Sequence, residues 1–380
     1  MKVILVDSLI GNDYTFCLAS SLQNEGSDVI LIVPANRKFN KTNNFIIKRW
    51  SPSKDINDSK LLKLFKYFEY LFKLFFYILN NKDAAVHFQF FRFKFDILFF
   101  VLLRLFNVNL VHTAHDVLPH ETRKIDYLLN YFLYKASRKI IVHSLYIKNK
   151  LSSIFNIKKE KIEIIPHGNF DIYKSNSPLS NEEAKKEFNL APTDNVILFF
   201  GFIREYKGLD ILLDAYSIVH KKNPWIKFII AGSIATKSLS QVYRNKISRF
   251  QSTESLITIF NFIPSDKVAT YFTAADFVVL PYKDIDHSGI VHMAYSFEIP
   301  IIATNVGDFS EVIEDGKSGY LVEKNDPEAL ADAIIQAFNN TDMKLNMKNY
   351  IRELNKNKYS WSESARKTIE IYNKIKKLSN

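Results

Sequence analysis

The 380-residue sequence contains a single cysteine, Cys17. One thiol can neither close a disulfide within the chain nor supply a cysteine-based zinc site, so a disulfide-stabilised scaffold is excluded. Cys17 stands in an apolar helical pattern, which predicts a plain buried thiol. We therefore expect the protein in a reducing, cytoplasmic environment.

Long uncharged apolar runs are also lacking. The longest, residues 97–103, is far shorter than the ~20 residues that a membrane-spanning helix needs. The opening stretch MKVILVDSLI has neither the apolar length nor the small-residue cleavage site of a signal peptide, and we interpret it as a first β-strand. These features indicate a protein that does not cross a membrane.

Two catalytic signatures and a nucleic-acid signature are absent as well. The sequence has no G-x-S-x-G motif and no P-loop. Its net charge is +11, from 51 Lys and Arg against 40 Asp and Glu, but no recognition-helix or RNA-binding motif accompanies this excess. Nucleic acid is therefore not expected as a partner.

The charge excess lies in one half of the chain. Residues 1–180 contain 26 basic and 15 acidic residues, whereas residues 181–380 contain 25 of each. The first half is therefore expected to face something anionic, or at least to tolerate it.

The residues that are present predict a two-domain α/β protein. An apolar content of 47% can fill two cores, and the length fits two domains of ~100–200 residues each. Short Val/Ile/Leu/Phe runs alternate with amphipathic helices on both sides of a polar stretch at residues 174–183. The predicted strands are residues 2–6, 28–33, 84–90, 109–115, 139–144, 195–201, 226–232, 255–262, 276–281, 300–304 and 319–323, and the clearest helices are residues 13–24, 94–106, 208–220, 265–274, 327–338 and 361–377. This pattern indicates two doubly wound parallel-sheet domains, with ligands at the carboxyl ends of the strands, in a cleft between the domains.

Residues 61–79, LLKLFKYFEYLFKLFFYIL, form an aromatic amphipathic helix with interleaved lysines. A helix of this kind can lie in a membrane interface. It can equally pack on the N-terminal sheet while its lysines extend to water. The local charge excess favours the first interpretation.

The segment FFGFIREYKGLDILLDAY, residues 199–216, predicts a diphosphate site. A strand ends at Gly201, a basic loop follows, and a helix opens at Gly208. Glycine allows close approach of a phosphate, Arg204 can bind its oxygens with two donors, Lys207 adds a point charge, and the helix N-terminus adds its dipole. An ordinary solvated loop with two surface charges is the alternative.

A second polar loop, between a strand at 276–281 and a helix, bears Asp284, Asp286, His287, Ser288 and Gly289. Backbone N–H groups at 288–290 can receive an anion, and the polar side chains can bind hydroxyls. Asp284 and Asp286 also have D-x-D spacing, but two loop carboxylates are common and their late position fits a metal site badly. We assign no metal.

A third cluster, residues 109–121, contains His112, His115, Asp116, His120 and Glu121. The histidines do not have the helical H-x-x-x-H spacing of a zinc site. One histidine beside an aspartate, acting as a hydrogen-bond donor or weak base, is the simpler interpretation.

These segments together resemble glycosyltransferase family 4, whose members have the GT-B fold of two facing Rossmann-like domains. The resemblance covers most of the chain and includes VHFQF, VHTAHD, IIPHGNFD, FFGFIREYKGLDILLDA, IAGS, NFIPSDKVATYFTAADFVVLPY and PIIATNVGDFSEVIEDGKSGYLVEKNDPEALADAI, in this order. It implies an acceptor-binding domain at residues 1–175, a donor-binding domain at 176–360, and a final helix within 361–380 that packs back on the first domain.

The resemblance also implies roles for individual residues. Arg204 and Lys207 match the pair that holds the donor diphosphate, and His115 matches the histidine that lines the transferred sugar; these three are the predicted catalytic residues. The segment around Ile263 matches the place where main-chain groups meet the nucleobase. The predicted acceptor side or cleft comprises Asn12, Asp116, His167 and Gly168.

Two departures from the family pattern shift the donor-sugar contacts. Ile285 and Met293 stand where the family usually has two glutamates seven residues apart, and neither can accept a hydrogen bond from a hydroxyl. Phe202 replaces the usual arginine after the glycine. A subgroup with Y-x5-S-G and I-R-x-Y-K-G patterns resembles this sequence in both respects. The donor contacts are therefore predicted at Asp286, His287, Ser288, Gly289 and Ile290.

The resemblance implies transfer of a sugar from a nucleoside diphosphate sugar to a glycan or lipid-linked acceptor in cell-surface polysaccharide synthesis. Retention of anomeric configuration follows from the family, and neither a metal nor a cofactor beyond the sugar nucleotide is expected. The helix at 61–79 would hold the protein on the anionic inner face of the cytoplasmic membrane. A nucleotide-sugar epimerase or hydrolase, and a non-catalytic donor-binding subunit, are the alternatives.

Overall fold

Two parallel β-sheets, one of seven strands and one of six, form the framework of the computed structural model. The structure describes residues 1–9, 13–37, 39, 44–52, 59–91, 93–119, 122–174, 179–250 and 254–377. Asn12, His120 and Glu121 therefore lie outside the described residues. The chain divides into a first unit, Met1–Gly168 with Ser360–Asn380, and a second unit, Asn169–Tyr359.

Strands and helices alternate along most of the chain. The strands are β1 (Lys2–Asp7), β2 (Asp28–Pro34), β3 (Ile46–Ser51), β4 (Ala85–Phe90), β5 (Leu110–Thr113), β6 (Lys139–Val142), β7 (Ile162–Ile164), β8 (Asn195–Phe200), β9 (Ile226–Ala231), β10 (Leu256–Ile259), β11 (Phe277–Leu280), β12 (Ile301–Thr304) and β13 (Gly319–Val322). The helices are α1 (Tyr14–Asn24), α2 (Lys60–Leu79), α3 (Lys94–Leu105), α4 (Lys124–Ala136), α5 (Leu145–Phe155), α6 (Asp171–Lys174), α7 (Asn181–Lys186), α8 (Leu209–Lys222), α9 (Lys237–Ile247), α10 (Val268–Ala274), α11 (Gly289–Ser296), α12 (Phe309–Val312), α13 (Pro327–Asn339), α14 (Thr341–Lys356) and α15 (Trp361–Lys377). The prediction of two doubly wound parallel sheets is confirmed.

The sheet of the first unit has the strand order β3-β2-β1-β4-β5-β6-β7. Its register pairs Phe88 of β4 with His112 of β5, and Thr113 of β5 with Ile141 of β6. Because all these strands are parallel, the residues that follow β4, β5 and β6 emerge at the same edge of the sheet. This edge carries Gln89, His115 and His143.

The sheet of the second unit has the order β10-β9-β8-β11-β12-β13. The strand order reverses at β8, which pairs with β9 on one side and with β11 on the other. Leu198 of β8 pairs with Val278 of β11, so the loops after these two strands start side by side. Such a reversal point is where open α/β sheets bind ligands.

Two strands were not predicted from the sequence. β3, IIKRWS, is an edge strand, and its Lys48 and Arg49 break the apolar pattern that identified the central strands. Charged residues on an edge oppose pairing with other chains. β7 has only three residues, at the opposite edge of the same sheet. Both lie where one side of the strand has no partner strand, so an uninterrupted apolar run is not required.

Some predicted boundaries were wrong. The strand expected at 109–115 ends at Thr113, and the strand expected at 255–262 ends at Ile259, which leaves Phe262 exposed. The helix expected from residue 265 starts at Val268, and the helix expected from Gly208 starts at Leu209. After Ile259 the apolar residues Phe260 and Phe262 continue the pattern, so composition alone does not mark the end of this strand.

Helix α2 packs one side into the core of the first unit. Its buried residues are Tyr67, Tyr70, Leu71, Leu74 and Ile78. The other side exposes large apolar side chains, including Leu61, Phe65 and Phe72. Among the described residues, no helix is long and apolar enough to cross a membrane. The packing interpretation is therefore correct for one side of α2, whereas the opposite side is apolar and open to solvent.

The last helix, α15, belongs to the first unit and packs on α1, where the rings of Trp361 and Tyr14 lie 5.0 Å apart. The Tyr372 hydroxyl lies 2.6 Å from Nδ1 of the buried His87. Cys17, which was predicted to be buried, is only partly buried on α1. Its neighbours Phe16 and Leu18 point into the core, whereas Cys17 lies on the side of α1 that faces solvent.

Candidate functional site

The loop between β8 and α8 is built around two glycines with positive φ. Gly201 has φ 110° and Gly208 has φ 67°, in the left-handed region that side chains rarely adopt. A Cβ atom on Gly208 would lie 1.8 Å from the backbone oxygen of Pro281. Gly208 caps the start of α8, so only glycine allows this helix start to approach the loop that follows β11.

Lys207 is the buried cation of this loop. It lies at the end of a short 3₁₀ turn, Glu205–Lys207, with 9% of its surface exposed. A Cβ atom built on Gly201 would lie 3.2 Å from its Nζ, and the ring of Tyr282 lies 5.4 Å from the same atom. Burial lowers the pKa of Lys207, with the nearby Arg204 acting in the same direction. An anion bound at Nζ would restore the stability of the charged form.

Arg204 lies three residues earlier, and its guanidinium carbon is 5.2 Å from the centre of the Phe202 ring. This distance is within the range of a cation–π contact. By the resemblance to family 4, Phe202 stands where an arginine is usual. Here it supports the arginine that comes two residues later.

The loop after β11 is the second wall of this site. Asp286 and Ser288 are both buried, and Ser288 precedes the first turn of α11. The side chain of Ile290 lies 3.4 Å from a Cβ atom built on Gly201. The structure thus brings Gly201, Lys207 and Ile290 together, as expected if the two loops bind one ligand.

His287 is held by a residue that sequence reasoning missed. Its Nδ1 lies 2.7 Å from Oδ2 of Asp308, and both side chains are buried. Gly307, with φ 59°, leaves room for this approach, since a Cβ atom there would lie 2.0 Å from the backbone oxygen of Ile285. The only signal was the pair Gly307-Asp308, which follows the end of strand β12 after two intervening residues.

Three other positions singled out from the sequence pack in or against the core of the second unit. Ile285 and Met293, which the resemblance aligns with two family glutamates, are buried in the core of the second unit. Ile263 is partly buried and packs against the same core, in the connection between β10 and α10.

In the first unit, His115 lies within a group of buried polar and aromatic residues. Its Nδ1 is 3.1 Å from Nε2 of His143, and its Nε2 is 3.3 Å from Oε1 of Gln89. Its ring stacks on Phe90, with centroids 4.1 Å apart. Gln89 lies near the end of β4 and His143 directly follows β6, the two strands on either side of β5. Sequence reasoning missed both because neither belongs to the motif around His115.

Tyr14, at the start of α1, connects the predicted residues of this group. Its ring centroid lies 4.8 Å from that of His115 and 4.7 Å from that of His167. Gly168 lies against Trp361, whose ring a Cβ atom on Gly168 would overlap. The structure therefore brings His115, His167 and Gly168 to one region of the first unit.

A cavity of about 340 Å³ opens beside His115. Aromatic and polar side chains line it together: Gln89, Phe90, Phe91, Phe93, Lys94, Ile97, His112, Thr113, His115, Asp116, Leu118, Pro119, Asp126, Asn130, Leu133 and Tyr134. Lys94 and Asp126 form an ion pair of 2.7 Å. Burial lowers the pKa of His112 to about 4, so this imidazole is neutral near pH 7. Within the described ranges, no group of three or more His, Cys, Asp or Glu residues is arranged to hold a metal ion.

The comparisons with known proteins agree with this architecture. Residues 12–168 match the model of Glycosyltransferase Family 4, and residues 180–354 match that of Glycosyl transferases group 1. The chain belongs to glycosyltransferase family 4, and its fold is GT-B.

Individual relatives are distant. A D-inositol 3-phosphate glycosyltransferase of Corynebacterium urealyticum is 23% identical over 225 residues, which span 58% of this chain and 53% of the relative. An uncharacterized glycosyltransferase of Methanocaldococcus jannaschii is 29% identical over 63% of this chain and 60% of its own length. The matched part is thus less than two thirds of either relative. Anabaena HepE, in a crystal structure with UDP and glucose, has a TM-score of 0.78 at 16% identity over 98% of this chain and 99% of its own.

The packing of Gly208 can be tested against a matched glycine. Gly316 also has positive φ, but nothing lies within 4 Å of a Cβ atom there. We expect Gly316→Ala to cost about 1–2 kcal/mol of unfolding free energy, from backbone strain alone. Gly208→Ala adds a collision with backbone and should cost clearly more. Urea unfolding measures both, and equal losses would contradict the described packing of the loop.

Proposed function

We propose that this protein transfers a sugar from a nucleoside diphosphate sugar to a hydroxyl of a glycan acceptor. The observation that carries the proposal is the buried Lys207, next to Gly201 and the first turn of α11, at the strand-order reversal of the second sheet. A buried ammonium with a lowered pKa favours an anionic ligand, and the family supplies the class of that ligand.

In this proposal the diphosphate binds between the two loops of the second unit. Arg204 and Lys207 neutralise its charge, and the backbone N–H groups at the start of α11 donate to its oxygens. The same groups stabilise the negative charge that develops on the leaving diphosphate. Because these cations supply the electrostatic stabilisation, we propose that transfer needs no metal. The transfer rate should then be the same with and without EDTA.

The sugar and base of the donor are assigned to the remaining predicted residues. Asp286, His287, Ser288 and Gly289 would bind sugar hydroxyls in place of the family glutamates, and main-chain groups near Ile263 would meet the base. The structure of HepE with UDP and glucose supports a uridine nucleotide as the first donor to test. Retention of anomeric configuration is proposed from the family.

The acceptor is assigned to the first unit. The cavity beside His115 combines the rings of Phe90, Phe91 and Phe93 with the Lys94–Asp126 ion pair. Aromatic faces and charged groups in one cavity suit the apolar faces and hydroxyls of a saccharide. Asp116 lines the same cavity, His167 and Gly168 lie near His115, and Asn12 stays a prediction outside the described residues.

We further propose that the acceptor is carried by a lipid and that α2 rests on the membrane surface. The outer side of α2 exposes Phe65 and Phe72 among the exposed Lys63, Lys66 and Lys73. Apolar rings can enter the headgroup region while the lysines meet anionic lipid. This arrangement supports a place on the inner face of the cytoplasmic membrane, as in cell-surface polysaccharide synthesis.

One alternative has a specific observation in its favour. Ile285 and Met293 are buried apolar residues where the family has glutamates, which would suit a donor-binding subunit without catalysis. Donor binding without turnover, in the presence of membrane lipids from the source cells, would support that alternative. Release of free sugar or epimer without an acceptor would instead indicate a hydrolase or epimerase.

Replacing Lys207 should weaken donor binding. We expect Lys207→Ala to reduce the affinity for UDP-glucose or UDP by about 10- to 100-fold, since a charge-assisted contact is lost. Lys222→Ala, at an exposed ion pair with Asp332, is the matched control and should bind normally. Isothermal titration calorimetry measures both. If a panel of nucleotide sugars binds equally to the wild type and to Lys207→Ala, the proposed site is wrong.

Donor affinity should fall as the pH rises past the lowered pKa of Lys207. Burial lowers the pKa of Lys207 in the unliganded protein, whereas a bound diphosphate favours the charged form. Binding above the unliganded pKa must therefore take up a proton, so affinity is constant below that pKa and falls above it by up to about tenfold per pH unit. Lys207→Arg keeps its charge throughout and should lose this decline. Calorimetry at increasing pH would detect the difference, and the same decline in both proteins would assign it to another group.

Membrane binding through α2 can be tested by flotation with lipid vesicles. The wild type should float with vesicles that contain phosphatidylglycerol and less with neutral vesicles, because the exposed lysines prefer anionic lipid. Phe65→Asp with Phe72→Asp should abolish flotation. Phe262→Asp changes an equally exposed ring in the second unit and serves as control. Unchanged flotation of the α2 variant would refute the assignment, and no effect of anionic lipid would show that the charge excess is not used.

A further inference from the structure

A chain of hydrogen bonds runs along the strand ends of the first unit and involves three histidines. His143 is buried, and its Nδ1 lies 3.0 Å from the backbone oxygen of Ile165. A carbonyl oxygen can only accept a hydrogen bond, so the proton of neutral His143 is on Nδ1. Nε2 of His143 then has a lone pair and acts as an acceptor.

This polarity extends to His115. Nε2 of His143 lies 3.1 Å from Nδ1 of His115, and two unprotonated ring nitrogens at this distance would repel. Nδ1 of His115 must therefore carry a proton and donate to His143. The ring nitrogen that can gain or lose a proton is then Nε2 of His115, which belongs to the residue that lines the cavity.

At the other end of this series of hydrogen bonds, Gln89 can pair with His115 whether or not Nε2 of His115 is protonated. Gln89 places Oε1 3.3 Å from Nε2 of His115 and its amide nitrogen 3.0 Å from Nε2 of His87. This orientation suits a protonated Nε2 on His115. A half-turn of the amide exchanges its two ends, so that its NH₂ group donates to a bare Nε2 and its oxygen accepts from His87.

His87 is compatible with the turned amide. Burial lowers the pKa of His87 to about 3, which keeps this ring neutral. Its Nδ1 can accept from the Tyr372 hydroxyl at 2.6 Å, which leaves the proton on Nε2 for Thr113 or Gln89. Gln89 is therefore satisfied whether or not Nε2 of His115 carries a proton.

We propose that His143 is a positioning residue for His115, which keeps the proton of neutral His115 on Nδ1 and directs hydrogen-bond acceptance to Nε2. Nε2 accepts a hydrogen bond from a hydroxyl of the bound saccharide, in competition with the Gln89 amide. This role rests on the proposed sugar transfer, whereas the position of the proton depends on the first unit alone.

The proton position can be observed directly. Long-range ¹H–¹⁵N correlation spectra of histidine-labelled protein distinguish protonated from bare ring nitrogens, and His115→Asn assigns the signals. In the wild type, neutral His115 should show a protonated Nδ1 and a bare Nε2. Neutral His115 with its proton on Nε2, or a ring protonated on both nitrogens at every pH at which the protein is folded, would overturn the proposal.

Two variants whose side chains have equal length test the hydrogen-bond acceptor at residue 143. His143→Met and His143→Gln both lose the bond to Ile165, but only glutamine offers an oxygen to Nδ1 of His115. In His143→Met, the Gln89 oxygen should draw the proton of His115 to Nε2, whereas His143→Gln should restore the wild-type spectrum. If His115 keeps its proton on Nδ1 in His143→Met, His143 does not control it.

Kinetics with UDP-glucose separate this role from a general structural one. We expect His143→Met to lower kcat about tenfold or more, the equivalent of one hydrogen bond to the reacting saccharide, with unchanged UDP affinity. His143→Gln should recover most of that loss. A wild type without any sugar-nucleotide turnover would contradict the proposed function while the spectra still decide the proton position. Equal kcat in the wild type and His143→Met, with the predicted spectra, would show that the proton position has no role in transfer.

Discussion

The parallel register of the two sheets is the constraint on which the rest of the structure depends. Parallel strands end at one edge, and hydrogen bonds between them fix which residues emerge side by side. In the first unit, the register of β4, β5 and β6 brings Gln89, His115 and His143 into hydrogen-bond contact, although 26 and 28 residues separate them along the chain. In the second unit, the register of β8 and β11 places Lys207 against the loop that opens α11. Neither group exists without its sheet.

Close backbone contacts convert this register into well-defined loops. Gly208 approaches Pro281, and Gly307 approaches Ile285, each at a distance that excludes a Cβ atom. The first contact holds the basic loop beside α11, and the second brings Asp308 to His287. Side chains that bind a ligand need fixed supports, and here the supports are main-chain atoms of the neighbouring loop.

The cations of the protein act in two different physical settings. Lys207 is buried, so its charge is costly in the absence of an anion and its pKa is lowered. The lysines on the outer side of α2 are exposed, so water stabilises their charge. The net charge of +11 does not distinguish buried from exposed cations, and Lys207 lies in the half of the chain that has no net charge. A single buried cation therefore says more about a ligand than the net charge does.

The sequence by itself determined the class of fold, the central strands, the two loops of the second unit and the family, because these depend on local apolar patterns and on motifs that are contiguous in the chain. It did not indicate β3, the partial exposure of Cys17, or the participation of Gln89, His143 and Asp308. Edge strands need no uninterrupted apolar run. Gln89 and Asp308 lie in segments that resemble the family but at positions without an assigned role, and His143 lies in none of those segments. Only the tertiary structure decided that His143 faces His115 and that Asp308 faces His287, because such pairs form where strand ends and loops meet in space. The same holds for α2, whose helical pattern is local, whereas its division into a buried and an exposed apolar side depends on where the sheet lies.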